Sequence, residues 1–234
     1  MAETYAAEGA ALAQRLRLDL IRSNRSIRAE DVGAGLRLPD VWLDKLPGWR
    51  LENSARLAKD MAHARRAARA VVISLDIPGP LEFHRLYSEL VQARNGRVRY
   101  GPEYFTRLFA TASGSSSVVV AQARDASGQF LGASVLAMDA KVGYYLHSAV
   151  LPAARPMGIS DLLLERLIIA AQERGMEHFN FMVSPPGQAG LVRYKKKWGN
   201  RESVVLARDT AGTLLGQAAV AAIGWMARWR SRSS

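Results

Sequence analysis

Apolar residues recur along this chain at two periods, and the switches between them mark out its elements. Leu12, Leu16, Leu20 and Ile21 share one face of a helix over Thr4–Arg22, with Arg15, Arg17 and Arg22 elsewhere on it. No period is sustained from Ser23 to Gly48. Gly33, Gly35, Pro39, Pro47 and Gly48 punctuate that stretch, and Trp42, Leu43 and Leu46 are expected to form one short packed turn. Glu52–Arg69 reads as a second helix, dense in Arg56, Lys59, Arg65, Arg66 and Arg69. Val71–Leu75 is a β-branched strand. Helices follow over Leu81–Arg94, stopped by Asn95-Gly96, and over Pro102–Thr111, where Tyr104, Phe105, Leu108 and Phe109 give an aromatic inner face suited to a core.

Three strands come next, Val118–Arg124, Phe130–Met138 and Val142–Val150, joined by turns at Asp125–Gly128 and Asp139–Lys141. A helix over Asp161–Arg174 points Leu162, Leu163, Leu167, Ile168 and Ala171 inward. Phe179, Phe181 and Val183 then alternate with His178, Asn180 and Met182, the pattern of a half-buried strand. Ser184-Pro185-Pro186-Gly187 breaks it, Gln188–Trp198 is a short basic helix, Ser203–Ala207 a last strand and Leu214–Arg230 a last helix carrying Trp225 and Trp229. This order predicts an α/β (α+β) fold: a mixed, mostly antiparallel sheet flanked by helices. We expect residues 1–70 to be a helical extension with a basic helix, and 71–234 to be a single domain ending in a C-terminal helix.

At 234 residues and 49% hydrophobic content the chain can bury a sizeable core. Cysteine is absent, which excludes disulfides and thiolate metal sites and makes the cytoplasm the default compartment. His63, His84 and His178 show no metal-ligand spacing, so no metal is expected. The N-terminus lacks a signal-peptide layout, and no apolar run approaches the ~20 residues of a membrane span, so no stable membrane insertion is expected. The formal net charge of +11 favours an anionic partner: nucleic acid, a phosphorylated cofactor or a membrane surface.

The stretch Gly175–Arg201 packs a strand, a Pro/Gly break and a lysine-rich helix into few residues. Such a device can hold a lysine and main-chain donors at the mouth of a cleft. The element order from Val71 to Ala207 resembles the GNAT acyltransferase fold. There an Arg/Gln-x-x-Gly-x-Gly/Ala loop holds the pyrophosphate of coenzyme A, and Arg155-Pro156-Met157-Gly158-Ile159-Ser160 is similar to it, with serine last and proline removing one donor. Read plainly, the same loop is a helix N-terminus with Ser160 as its cap. Phe179-Asn180-Phe181, the break, and then Gly190-Leu191-Val192-Arg193-Tyr194-Lys195-Lys196-Lys197-Trp198-Gly199 resemble a motif of the Fem-type aminoacyltransferases. In that group an Asp-Phe-Gly strand precedes Gly-Leu-x-x-Phe-Lys-x-x-Phe/Trp-Gly. Asn180 stands where the group has Asp, and Met182 where it has Gly. The chain is too short for the two GNAT copies of the larger members, so their substrate platform is missing or comes from a second subunit, as in a homodimer.

The resemblance implies transfer of an activated amino acid, from aminoacyl-tRNA as co-substrate and with no cofactor required, to an amine-bearing small molecule or peptide. It aligns Lys195 with the group's functional lysine, suited to a developing oxyanion, and Tyr194 with its preceding aromatic, able to stack a terminal base. Arg193, Lys196, Lys197, Arg65 and Arg66 would then meet tRNA phosphates. His147 is the candidate base, with Tyr145, Asn180 and Ser184 lining the cleft. The alternatives are an acyl-CoA or carrier-protein thioester donor seated at Arg155, Gly158, Ile159 and Ser160, and a non-catalytic protein that binds RNA or a membrane surface.

Overall fold

The computed structural model describes residues 36–207; the expected helices over Thr4–Arg22 and Leu214–Arg230 lie outside them. Strand β1 (Leu36–Asp44) leads through two short 3-10 turns to helix α1 (Ala55–Ala67), capped by Ser54, whose hydroxyl accepts from Leu57 N–H at 3.3 Å. Then come β2 (Val72–Ser74), α2 (Pro80–Gln92), α3 (Pro102–Gly114), β3 (Val118–Arg124), β4 (Phe130–Asp139) and β5 (Val142–Val150). A 3-10 turn (Pro152–Met157) enters α4 (Ile159–Glu173), followed by β6 (His178–Val183), α5 (Ala189–Trp198) and β7 (Arg201–Ala207).

The strands form one sheet in the order β2-β3-β4-β5-β6-β1-β7, antiparallel except at the β5–β6 join. Its faces carry two cores. Under α1 and α4 lie Leu57, Met61, Leu163, Leu167, Phe179 and Phe181. On the other face Phe83, Phe105 and Phe109 of α2 and α3 pack on Val118, Val120 and Val135. The mixed, mostly antiparallel sheet flanked by helices is the fold class the sequence predicts. Among the described residues no helix is long and apolar enough to cross a membrane.

Two elements depart from expectation. Residues 36–44, read as a punctuated stretch with one turn, are β1, inserted between β6 and β7, so the sheet draws on both sides of position 70. Pro39 suppresses the strand signal, but its missing N–H costs little here. The β1–β6 ladder shifts register between Asp40 and Trp42, and Pro39 contributes only its carbonyl, which accepts from Ser184 N–H at 2.8 Å. β6 is not half-buried: Phe179, Asn180, Phe181, Met182 and Val183 are all buried, because β5 and β1 flank it and both faces are covered.

Candidate active site

The site begins where pairing fails. β5 and β6 run parallel and pair only from Val142–Tyr144 against His178–Asn180. Beyond that point β5 carries a bulge, since Leu136 and Val135 of β4 face Tyr145 and His147 and leave Leu146 extra. β6 turns away in its own manner: Met182 adopts φ 63°, a left-handed conformation costly for a side-chain-bearing residue. A buried polar knot holds that bend. Asn180 Oδ1 accepts from Met182 N–H at 2.8 Å, and Asn180 Nδ2 donates to Asp40 Oδ1 at 3.0 Å. Lys195 Nζ donates to the carbonyls of Met182 and Val183 at 2.8 and 3.1 Å. The strands splay, and the inner edge of β5 past Tyr144 is left without a β6 partner.

A cleft of about 600 Å³ fills the gap. Tyr145–Val150 of β5 form its floor, Arg155 and Ser160 one end, and Gln188, Leu191 and Tyr194 one wall. The opposite wall is Tyr87, Leu90 and Val91 of α2 with Arg94, Arg97, Arg99 and Tyr100 of the loop that follows. Among the described residues lining it there is no Asp or Glu. His147 is 8% exposed and ringed by Tyr87, Tyr100, Tyr104 and Phe105 at centroid separations of 6.2, 5.2, 5.5 and 5.4 Å. Its Nε2 hydrogen-bonds the Tyr104 hydroxyl at 2.8 Å, and burial draws its pKa down to about 4, so the imidazole is neutral at physiological pH.

The structure gathers some of the sequence candidates here and disperses others. Tyr145, His147, Arg155, Ser160 and Tyr194 line the cleft. Tyr145 shares a hydrogen bond with Ser134 at 3.3 Å, and the Tyr194 hydroxyl donates to Ser160 O at 3.2 Å, tying α5 to the start of α4. Gly158, at φ 74°, and buried Ile159 support that loop from behind; a Cβ on Gly158 would lie 2.5 Å from that of Ala64 on α1.

Lys195 is a correction. Expected at the cleft mouth, it is 5% exposed, donates to β6 carbonyls and points into the knot, and it is not among the residues lining the cleft; burial lowers its pKa to about 7, against the pull of Asp40. Asn180 is likewise interior, and Ser184 is fully buried with no hydrogen-bond partner for its hydroxyl. Both were expected to line the cleft, but β1 covers this end of β6. Lys196 pairs with Glu202 at 2.7 Å and Lys197 with Asp161 at 2.9 Å, and Arg193 is exposed; none of the three lines the cleft. Arg65 pairs with Glu165 at 2.6 Å, whereas Arg66 lies in a groove beside Arg155. Sequence reading missed Arg94, Arg97 and Arg99. Their signal was three arginines set around Asn95-Gly96, a dipeptide read only as a helix stop.

A splayed β5–β6 pair with a cleft between the strands and a helix N-terminus at one end is the architecture of an acyltransferase. Residues 49–196 match the acetyltransferase (GNAT) domain family, and the chain belongs to that family. Among solved structures it is similar to FemX, with TM-score 0.55 and 14% identity over 70% of this chain and 59% of that one. L-PGS from Bacillus licheniformis aligns with TM-score 0.51 and 16% identity over 82% of this chain and 68% of that one. A C-terminal DUF2156 domain from Agrobacterium fabrum aligns with TM-score 0.51 and 17% identity over 85% and 67%. At these identities the likeness is one of fold. The chain thus spans less than two thirds of the length of FemX. No curated protein matches it in sequence.

Proposed function

We propose that this chain, an acyltransferase by family, moves an aminoacyl group from aminoacyl-tRNA to an amine acceptor. The observation that carries the reading is a basic stripe on α1. Arg56, Lys59, His63 and Arg66 recur at three- and four-residue spacing on its exposed face. Lys59, His63 and Arg66 share a groove with Arg155, and Arg155 also lines the cleft. Asp60 and Asp161 also line that groove, but both pair with Lys197, so Lys59, Arg66 and Arg155 leave a net-basic path to the cleft mouth, as a nucleic acid whose 3′ end enters the cleft requires.

In this reading the neutral acceptor amine attacks the ester carbonyl of the aminoacyl group. The N–C bond forms, a tetrahedral oxyanion develops and collapses, and the ester C–O bond breaks to free the tRNA hydroxyl, which takes up the proton the amine loses. Main-chain N–H groups of the β5 bulge, unmatched by β6, suit the oxyanion, where one such donor contributes about 3 kcal/mol. His147, neutral and paired with Tyr104, relays the proton. Lys195 acts as a positioning residue by fixing the bend of β6. An acyl-CoA donor is the second reading, favoured by the Arg155–Ser160 loop entering α4 at the end of the same cleft.

Titration with aminoacyl-tRNA and with acetyl-CoA, each at two salt concentrations, separates the two. The proposal expects tight, salt-sensitive tRNA binding, with the slope of log K against log salt reduced by about 2 in Lys59→Ala/Arg66→Ala. Acetyl-CoA binding with weak tRNA binding that ignores these substitutions would overturn it.

A further inference from the structure

The wall opposite α5 suggests what the acceptor is. Arg94, Arg97 and Arg99 sit within six residues of chain and line one side of the cleft, with Arg155 at its end. Among the described residues none of these four has a carboxylate within ion-pair distance, although ten other described ion pairs are formed. The loop that carries the three is pinned. Asn95 N–H donates to Gln92 O and Gly96 N–H to Val91 O, both at 2.9 Å, and Asn95 adopts φ 55°. A Cβ on Gly96 would lie 3.0 Å from Val91 O, so the turn is packed against its own helix. Below the arginines the surface is aromatic: Tyr87, Tyr100 and His147, with Tyr100 stacked on Tyr104 at 4.4 Å.

A cleft with several guanidiniums and no carboxylate repels a cationic acceptor such as a polyamine or a lysine side chain. It attracts a multiply charged anion, and three fork-shaped donors fit the oxygens of a phosphate better than a lone carboxylate. We propose that the acceptor is a phosphorylated amine, its phosphate held by Arg94, Arg97 and Arg99 and its amine directed down the aromatic wall toward His147. The arrangement also aids the chemistry, since nearby fixed cations disfavour the ammonium form and raise the share of neutral, nucleophilic amine. This inference rests on the cleft being the acyl-transfer site.

The test is calorimetric titration of the full chain with O-phosphoethanolamine, ethanolamine and inorganic phosphate, and sedimentation with vesicles of phosphatidylcholine alone or with phosphatidylethanolamine. O-phosphoethanolamine is expected to bind at least tenfold more tightly than ethanolamine. Arg97→Gln/Arg99→Gln should abolish that preference while leaving the melting temperature and donor binding unchanged. Selective retention on phosphatidylethanolamine vesicles would assign the phosphate to a lipid headgroup, and binding of the soluble compound alone to a small metabolite. Equal affinity for the two amines, or loss of tRNA binding without loss of phosphoamine binding in the double variant, overturns the proposal. Phosphoamine binding through these arginines with no donor binding at all would instead sink the acyl-transfer reading.

Discussion

Lys195→Met tests whether this lysine builds the site or faces substrate. The substitution keeps the length and apolar stem of the side chain but removes the ammonium from the carbonyls of Met182 and Val183. Each carbonyl left buried without a partner costs about 1–3 kcal/mol. Opposing this, the variant no longer desolvates a charge. The folded-state pKa of about 7 lies far below the ordinary lysine value of 10.5, and that gap corresponds to roughly 5 kcal/mol at most. The two effects separate by pH. Between about 7 and 10.5 the unfolded chain holds a proton that the folded chain releases, so raising pH favours the folded state, with a slope of up to ~1.4 kcal/mol per pH unit. Below pH 7 both states are protonated and the slope from this group vanishes. Urea unfolding of both proteins at pH 6.5, 7.5, 8.5 and 9.5 isolates the lysine, because every other group cancels in the difference. The wild type should gain on the variant at each step above pH 7. A difference independent of pH, together with lost transfer activity and undiminished stability, would refute the buried role and return Lys195 to the substrate.

His147 gives an acid-side counterpart. Its pKa of about 4 is below the ordinary 6.5, so the unfolded chain binds the extra proton and stability falls as pH drops from 6.5 toward 4, by about 3 kcal/mol in all; His147→Phe should flatten that limb of the urea midpoint. Gly158→Ala meets both a positive φ and the Ala64 Cβ, so we expect roughly 1–3 kcal/mol of destabilisation by thermal melting, with partial recovery in Ala64→Gly/Gly158→Ala. Asp161→Asn weakens the bonds to Lys197 Nζ at 2.9 Å and Trp198 Nε1 at 3.2 Å that anchor α5 on α4, and should lower the urea midpoint by the equivalent of about 1–3 kcal/mol.

Local pattern was enough for most elements because their cores are built from short-range periodicity: the meander over β3–β5 and helices α2 and α3 fall within a few residues of where the apolar spacing puts them. It failed at β1, where Pro39 contradicts a central strand unless the register shift beside it is known, and that shift depends on β6 some 140 residues away. The site failed in the same way. Its residues come from α2 and its loop, β5, the start of α4 and α5, and no single window contains more than one wall. A lysine triplet on α5 could not disclose which member turns inward. Only the fold shows that Lys196 and Lys197 find carboxylates while Lys195 finds the carbonyls of a strand.

That outcome changes what the aromatic–lysine motif means here. A left-handed Met182 in the middle of a sheet is unfavourable by itself and persists only where its surroundings over-determine it. Asn180 fixes its N–H, Lys195 its carbonyl, and Asp40 on β1 binds Asn180 while its charge draws on Lys195. The bend is what parts β6 from β5, and the parting is what makes the cleft. Tyr194, one residue before Lys195, then lies on the cleft side of the same helix and closes its wall. The motif therefore works as a hinge pin: its lysine holds the strands apart from inside, and its tyrosine lines the cleft they open.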